Sequence, residues 1–121
     1  HAPHSSLEKD CEFPEAAPGL IGLELVIPVL MSLVKEERVS LARFVDSLTA
    51  AAAKVVGLES PSLRVGAPAD LVLIDPNRRQ RIEAARLKTK SANSPFVGKE
   101  LEGTVDLTMV GGRPVYERED A

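Results

Sequence analysis

Both histidines of this 121-residue chain, His1 and His4, lie within its first four positions. Any imidazole chemistry the polypeptide performs is therefore set there. Together with Asp10, Cys11 and Glu15 they could supply zinc ligands. Two histidines separated only by Ala2-Pro3, without a second spaced pair, do not spell a structural zinc pattern, so no self-contained metal site is expected. Cys11 could act as a nucleophile with a histidine as its base, but the residues around it match no nucleophile motif and it reads as a bystander. The third chemistry is recognition of an anion. Imidazole donates one or two hydrogen bonds to a carboxylate, and a turn at Pro18-Gly19 lets a ligand approach the main chain, because glycine has no side chain to hold it off. The histidine pair heads a chain that starts without methionine. It reads as the edge of an active site whose other half is encoded upstream, and the chain as a fragment.

The elements that must position these groups follow from periodicity. Residues 1–19 carry Pro3, Pro14, Pro18, Gly19 and the charged run Glu8-Lys9-Asp10, with neither helical nor strand spacing, and read as a loop. From Leu20 to about Lys35 apolar residues cover nearly the whole circumference, which predicts a helix buried on most sides and bent at Pro28. A second helix is predicted over 40–56 from Leu41, Phe44, Val45, Leu48, Ala52, Val55 and Val56, capped by Ser40 and ended by a left-handed Gly57. After Pro61 the pattern turns to strands. Leu71-Val72-Leu73-Ile74 predicts a short buried strand, and Gly103–Val110 and Arg113–Glu117 predict two more, joined by a Gly111-Gly112 hairpin turn. The boundary between helical and β-rich parts falls near 58–62. Asn77–Lys90, with six basic residues and only Glu83 against them, reads as a solvated surface segment, since no aromatic side chains interleave the charges as nucleic-acid binding would need.

Composition excludes several classes. A net charge of −3 gives no electrostatic footprint for nucleic acid or an anionic membrane. The apolar run Leu20–Val34 contains Glu24 and Pro28 and is shorter than the roughly 20 residues of a membrane span. A single cysteine rules out an intrachain disulfide and suits a cytoplasmic protein. With 44% hydrophobic residues, 3% aromatic and no Trp, the core must be built from Leu, Val, Ile and Ala, as suits helices packed around a larger body.

Four stretches taken in order decide among these chemistries: His1-Ala2-Pro3-His4, Ala17-Pro18-Gly19-Leu20-Ile21-Gly22-Leu23-Glu24, Val65-Gly66-Ala67-Pro68-Ala69-Asp70-Leu71-Val72, and Asn93-Ser94-Pro95-Phe96-Val97-Gly98 followed by Gly103-Thr104-Val105. Together they resemble the C-terminal third of a dihydroorotase of the amidohydrolase superfamily. The Ala-Asp-Leu-Val element is shared across the superfamily, whereas His-Ala-Pro-His narrows the resemblance to dihydroorotases. Ala50-Ala51-Ala52-Ala53 departs from the family pattern, where Asn-Pro-Ala is common.

The resemblance implies an α/β fold: the last loop and helices of a metal-dependent (β/α)₈ barrel over 1–58 and strands of a flanking β-sandwich over 59–121. It implies reversible hydrolysis of dihydroorotate to N-carbamoyl-L-aspartate in pyrimidine biosynthesis, by attack of a metal-activated hydroxide on the ring amide, with one or two zinc ions in the intact enzyme and none bound by this chain alone. His4 would hold the substrate carboxylate with the backbone of Ala2 beside it, and Pro18 and Gly19 would contact the pyrimidine ring through their main chain. The catalytic aspartate would stand directly before His1, so no catalytic residue and no metal ligand is expected within the chain. Implied partners are the small-molecule substrate, the missing N-terminal part of the same protein, and a second copy or aspartate transcarbamoylase. Nucleic acid and membrane are not among them. Two rivals remain: another cyclic amidase, such as a hydantoinase or allantoinase, and a non-catalytic homologue that scaffolds aspartate transcarbamoylase. A shared sandwich further predicts unpaired sheet edges and exposed apolar surface.

Overall fold

The computed structural model of the chain describes residues 7–119, so the calls on His1, Ala2 and His4 lie outside the described residues. Residues 7–22 carry turns and bends but no helix or strand, and a single 3₁₀ turn, Leu23–Leu25, leads into α1, Val26–Lys35. The helix therefore starts later than Leu20. Pro28 occupies the first turn of α1, where backbone N–H groups lack intrahelical partners in any case, so its missing N–H removes no helical hydrogen bond. Only Pro28 and Met31 of α1 are buried; its other apolar residues are half-covered.

The single helix expected over 40–56 is two, α2 at Leu41–Leu48 and α3 at Ala50–Val55, broken at Thr49 with φ −128° and ψ −99°. Hydroxyls explain the break. Ser47 Oγ donates to the Phe44 carbonyl at 2.8 Å and Thr49 Oγ1 to the Val45 carbonyl at 2.7 Å, competing with the backbone ladder at the last turn. The cap and stop hold as expected. Ser40 accepts from Arg43 N–H at 3.2 Å, and Gly57 sits at φ 72° just beyond the helix.

Three strands form one antiparallel sheet in the order β1-β2-β3, with β1 at Leu71–Arg81, β2 at Glu100–Val110 and β3 at Arg113–Glu117. The hairpin between β2 and β3 turns through Gly111 (φ 56°) and Gly112 (φ 75°), the double left-handed conformation of a tight two-residue loop. β1 is longer than the expected Leu71–Ile74 because the strand survives Pro76 through a bulge. The register slips between Asp75, opposite Thr104, and Arg79, opposite Glu102. Within the bulge Asp75 Oδ1 accepts from the N–H groups of Asn77 (2.9 Å) and Arg78 (3.1 Å), replacing the ladder bonds that are lost. Part of the basic segment after Asn77 is thus strand, with Arg79 donating to Glu102 at 3.1 Å and Arg78 within 3.8 Å of Asp106.

α1 lies across β2. Among the described residues the buried ones are Ile21, Leu25, Pro28, Met31, Phe44, Ile82, Gly103 and Thr104, drawn from both the helical and the strand halves. That core is small for the chain. The accessible surface is 9108 Å² for 13.0 kDa, against roughly 6,300 Å² for a folded monomer of that mass. The excess is visible as unpartnered apolar side chains: Leu41, Val45 and Leu48 along α2, Val55 to Leu58 at the end of α3, and Val72, Leu73, Val110, Val115 and Tyr116 on the sheet.

Between α1 and the sheet, Lys35 Nζ lies 3.2 Å from Glu102, which Arg79 also reaches. Hydrogen bonds from Lys35, then Arg79, hold the Glu102 carboxyl below its ordinary 4.5, and the Asn77 N–H does the same for Asp75. A carboxylate whose folded pKa is lowered adds stability above its unfolded pKa and loses it as pH falls through the folded value. The thermal midpoint is therefore expected to drop as pH is taken from about 5 to about 3, and to drop less in Glu102→Gln, as followed by circular dichroism. An equal drop in the variant would show that Glu102 takes no part.

Candidate functional site

Of the predicted site residues, Pro18 and Gly19 are described, and both are exposed. Gly19 has φ 95°, a conformation that other residues rarely adopt, so the chain turns sharply at the position proposed to meet a ligand. The turn is held by three elements far apart in sequence. Lys9 Nζ donates to the carbonyls of Ala17 and Gly19, the latter at 2.7 Å. Asn93 Nδ2 donates to the same Gly19 carbonyl at 3.3 Å, and the Asn93 carbonyl accepts from Ile21 N–H at 3.3 Å. The Glu24 carboxylate accepts from the N–H groups of Lys88 (2.9 Å) and Thr89 (2.8 Å). Buried Ile21 and Leu25 anchor the same segment in the core. The 17–24 chain is thereby fastened to the 88–93 loop at both ends.

Lys9, Glu24 and Asn93 were not singled out from the sequence as site supports. A signal existed for Glu24, a lone carboxylate inside an apolar run that has to find donors. For Lys9 none existed, because a lysine beside Glu8 and Asp10 reads as a solvated charge.

Asp10, Cys11 and Glu15 are each exposed, and among the described residues the Cys11 thiol makes a long contact, 3.7 Å, to the Glu8 carbonyl. Among the described residues no three His, Cys, Asp or Glu side chains come together as a metal set would. These residues do not fit the zinc that the resemblance implies. A cleft of about 530 Å³ opens beside the Glu24–Lys88 tie and runs along Gln80, Ile82, Tyr116 and Arg118. Four basic and four acidic side chains line it, so it favours neither sign of ligand, and it contains none of the predicted site residues. Among the described residues no helix is long and apolar enough to cross a membrane.

The sequence pattern of the amidohydrolase family matches residues 28–116, most of the length that the structure describes. The chain belongs to the amidohydrolase family. Within it, the chain is similar to the dihydroorotase of Geobacter sp. (strain M21), 43% identical over 117 residues that cover 97% of this chain and 28% of that protein. It is 44% identical to the dihydroorotase of Anaeromyxobacter dehalogenans (strain 2CP-C) over 97% of this chain and 27% of that protein. This amidohydrolase chain thus spans little more than a quarter of the length of the curated relatives it matches. Among solved structures it resembles D-hydantoinase (dihydropyrimidinase) from Thermus sp., with a TM-score of 0.81 and 27% identity over 97% of this chain and 27% of that one. L-hydantoinase (dihydropyrimidinase) from Arthrobacter aurescens follows with a TM-score of 0.75 and 33% identity over 85% of this chain and 24% of that one.

Proposed function

We propose that this chain is the substrate-holding C-terminal part of a dihydroorotase, which opens dihydroorotate to N-carbamoyl-L-aspartate and closes it again. The observation that carries the reading is 43–44% identity to dihydroorotases across 97% of the chain. His4 binds the substrate carboxylate, the Ala2 backbone lies beside it, and the Pro18-Gly19 main chain meets the ring. These groups orient the substrate; the proton-transferring aspartate stands directly before His1. Residues 1–58 close the end of a (β/α)₈ barrel and 59–121 complete a flanking sandwich. The large unburied surface and the uncovered apolar faces of α2 and the sheet support a body that packs on more chain of the same protein. The zinc, one ion or two, is held by residues outside those described, and the enzyme works in the cytoplasm, as a homodimer or with aspartate transcarbamoylase. The likeness to hydantoinase structures favours a second reading, a cyclic amidase for another five- or six-membered ring.

The experiment compares the purified 121-residue chain with the full-length protein that carries it. The isolated chain is expected to hydrolyse no dihydroorotate and to hold no stoichiometric zinc, since one or two histidines cannot replace a full ligand set. The full-length protein is expected to do both. Chelator-sensitive zinc at one equivalent in the isolated chain would overturn the assignment of the metal ligands.

A further inference from the structure

We propose that Lys9 and Asn93 are positioning residues of the substrate pocket, acting through the main chain of Pro18 and Gly19. The proposal rests on the reading of Pro18-Gly19 as a ring-binding turn. The geometry is specific to that turn. Lys9 Nζ bonds the Ala17 carbonyl and, at 2.7 Å, the Gly19 carbonyl, so one ammonium group fixes the peptide planes on either side of the peptide that joins Pro18 to Gly19. With its two neighbours pinned, the middle peptide has one orientation. Its proline limits rotation further by fixing its own φ. Asn93 reaches the same Gly19 carbonyl from the opposite loop, at 3.3 Å, across 74 positions of sequence.

Each support is itself supported. Ser91 Oγ donates to Asn93 Oδ1 at 2.6 Å, which orients the amide so that its NH₂ faces Gly19. The Asn93 carbonyl holds Ile21 N–H, and buried Ile21 ties the turn to the core. A charged donor to a carbonyl is stronger than a neutral one, so Lys9 does more than solvate a loop. Glycine at φ 95° gives the turn little stiffness of its own, and without these donors the turn would sample other orientations. A substrate would then meet a turn that must be ordered on binding, which weakens capture and leaves the bond-breaking groups untouched.

The test uses the full-length enzyme with Lys9→Met, Lys9→Arg and Asn93→Ala, each assayed with dihydroorotate beside His4→Ala. Lys9→Met and Asn93→Ala are expected to raise KM about five- to tenfold, with kcat within about twofold and the thermal midpoint unchanged. Lys9→Arg, which keeps a charged donor, is expected to restore most of the loss. If His4→Ala raises KM while Lys9→Met and Asn93→Ala leave it at the wild-type value, the positioning proposal is overturned and the site reading stands. If His4→Ala also leaves KM unchanged, the site reading itself fails and takes the proposal with it. A lowered thermal midpoint with loss of kcat at constant KM would make these contacts purely structural and overturn the proposal too.

Discussion

Replacing His4 by alanine in the full-length protein is expected to lower kcat/KM for dihydroorotate by roughly 10- to 150-fold, the equivalent of losing a hydrogen bond of about 1.5–3 kcal/mol to a charged group. The loss should fall mainly on KM, because the imidazole is proposed to hold the carboxylate and not to take part in bond cleavage. A misplaced ring can lower kcat as well. Steady-state kinetics in both directions, with metal content checked, measures this. Unchanged kcat/KM for dihydroorotate and carbamoyl-aspartate would remove His4 from the site, and loss of metal on substitution would make it a ligand instead.

The largest effect on folding is expected at Gly103, where α1 crosses β2. A Cβ added there would stand 2.9 Å from Met31 Cβ and 3.6 Å from the Pro28 Cα, closer to Met31 than packed carbons come. The residue also has φ 95°. Left-handed strain costs about 1–2 kcal/mol and overpacking about 1–3 kcal/mol, so Gly103→Ala should destabilise by about 2–5 kcal/mol. Met31 is 1% exposed, and Met31→Ala alone should cost about 2–5 kcal/mol by leaving a cavity. In the double variant the Met31 Cβ stays 2.9 Å from the new methyl and only the Cγ contact at 3.1 Å is removed, so the two losses should fall only slightly short of their sum. Denaturant unfolding of the four proteins closes this cycle. A loss under about 0.5 kcal/mol for Gly103→Ala would show that α1 does not seat on Gly103.

Local chemistry made part of this fold legible from the sequence. Ser40 before an apolar periodic run, Gly57 after it, and Gly111-Gly112 between two predicted strands each impose a geometry through residues a few positions apart, and each is found as expected. What was not legible depends on distant partners or on competition within a turn. β1 extends to Arg81 because β2 pairs with it beyond the bulge, and nothing in Asp75-Pro76-Asn77 alone announces that pairing. The break at Thr49 comes from hydroxyls competing for carbonyls at the end of an otherwise good helix, immediately before the alanine run. At the candidate site the turn itself could be read from Pro18-Gly19. Its supports could not: the Gly19 carbonyl draws donors from Lys9 and Asn93, and the sequence separation of the second leaves no periodic trace.

The central claim, that the enzyme carrying this chain acts on dihydroorotate, is tested most directly by a parallel assay of the full-length, metal-replete protein against dihydroorotate, hydantoin and allantoin. The account predicts turnover of dihydroorotate, ring closure of N-carbamoyl-L-aspartate in the reverse direction, and no comparable turnover of the other two rings. Preferential hydrolysis of hydantoin or allantoin would contradict it in favour of another cyclic amidase, and no turnover of any ring by the metal-bound protein would contradict it in favour of a scaffold.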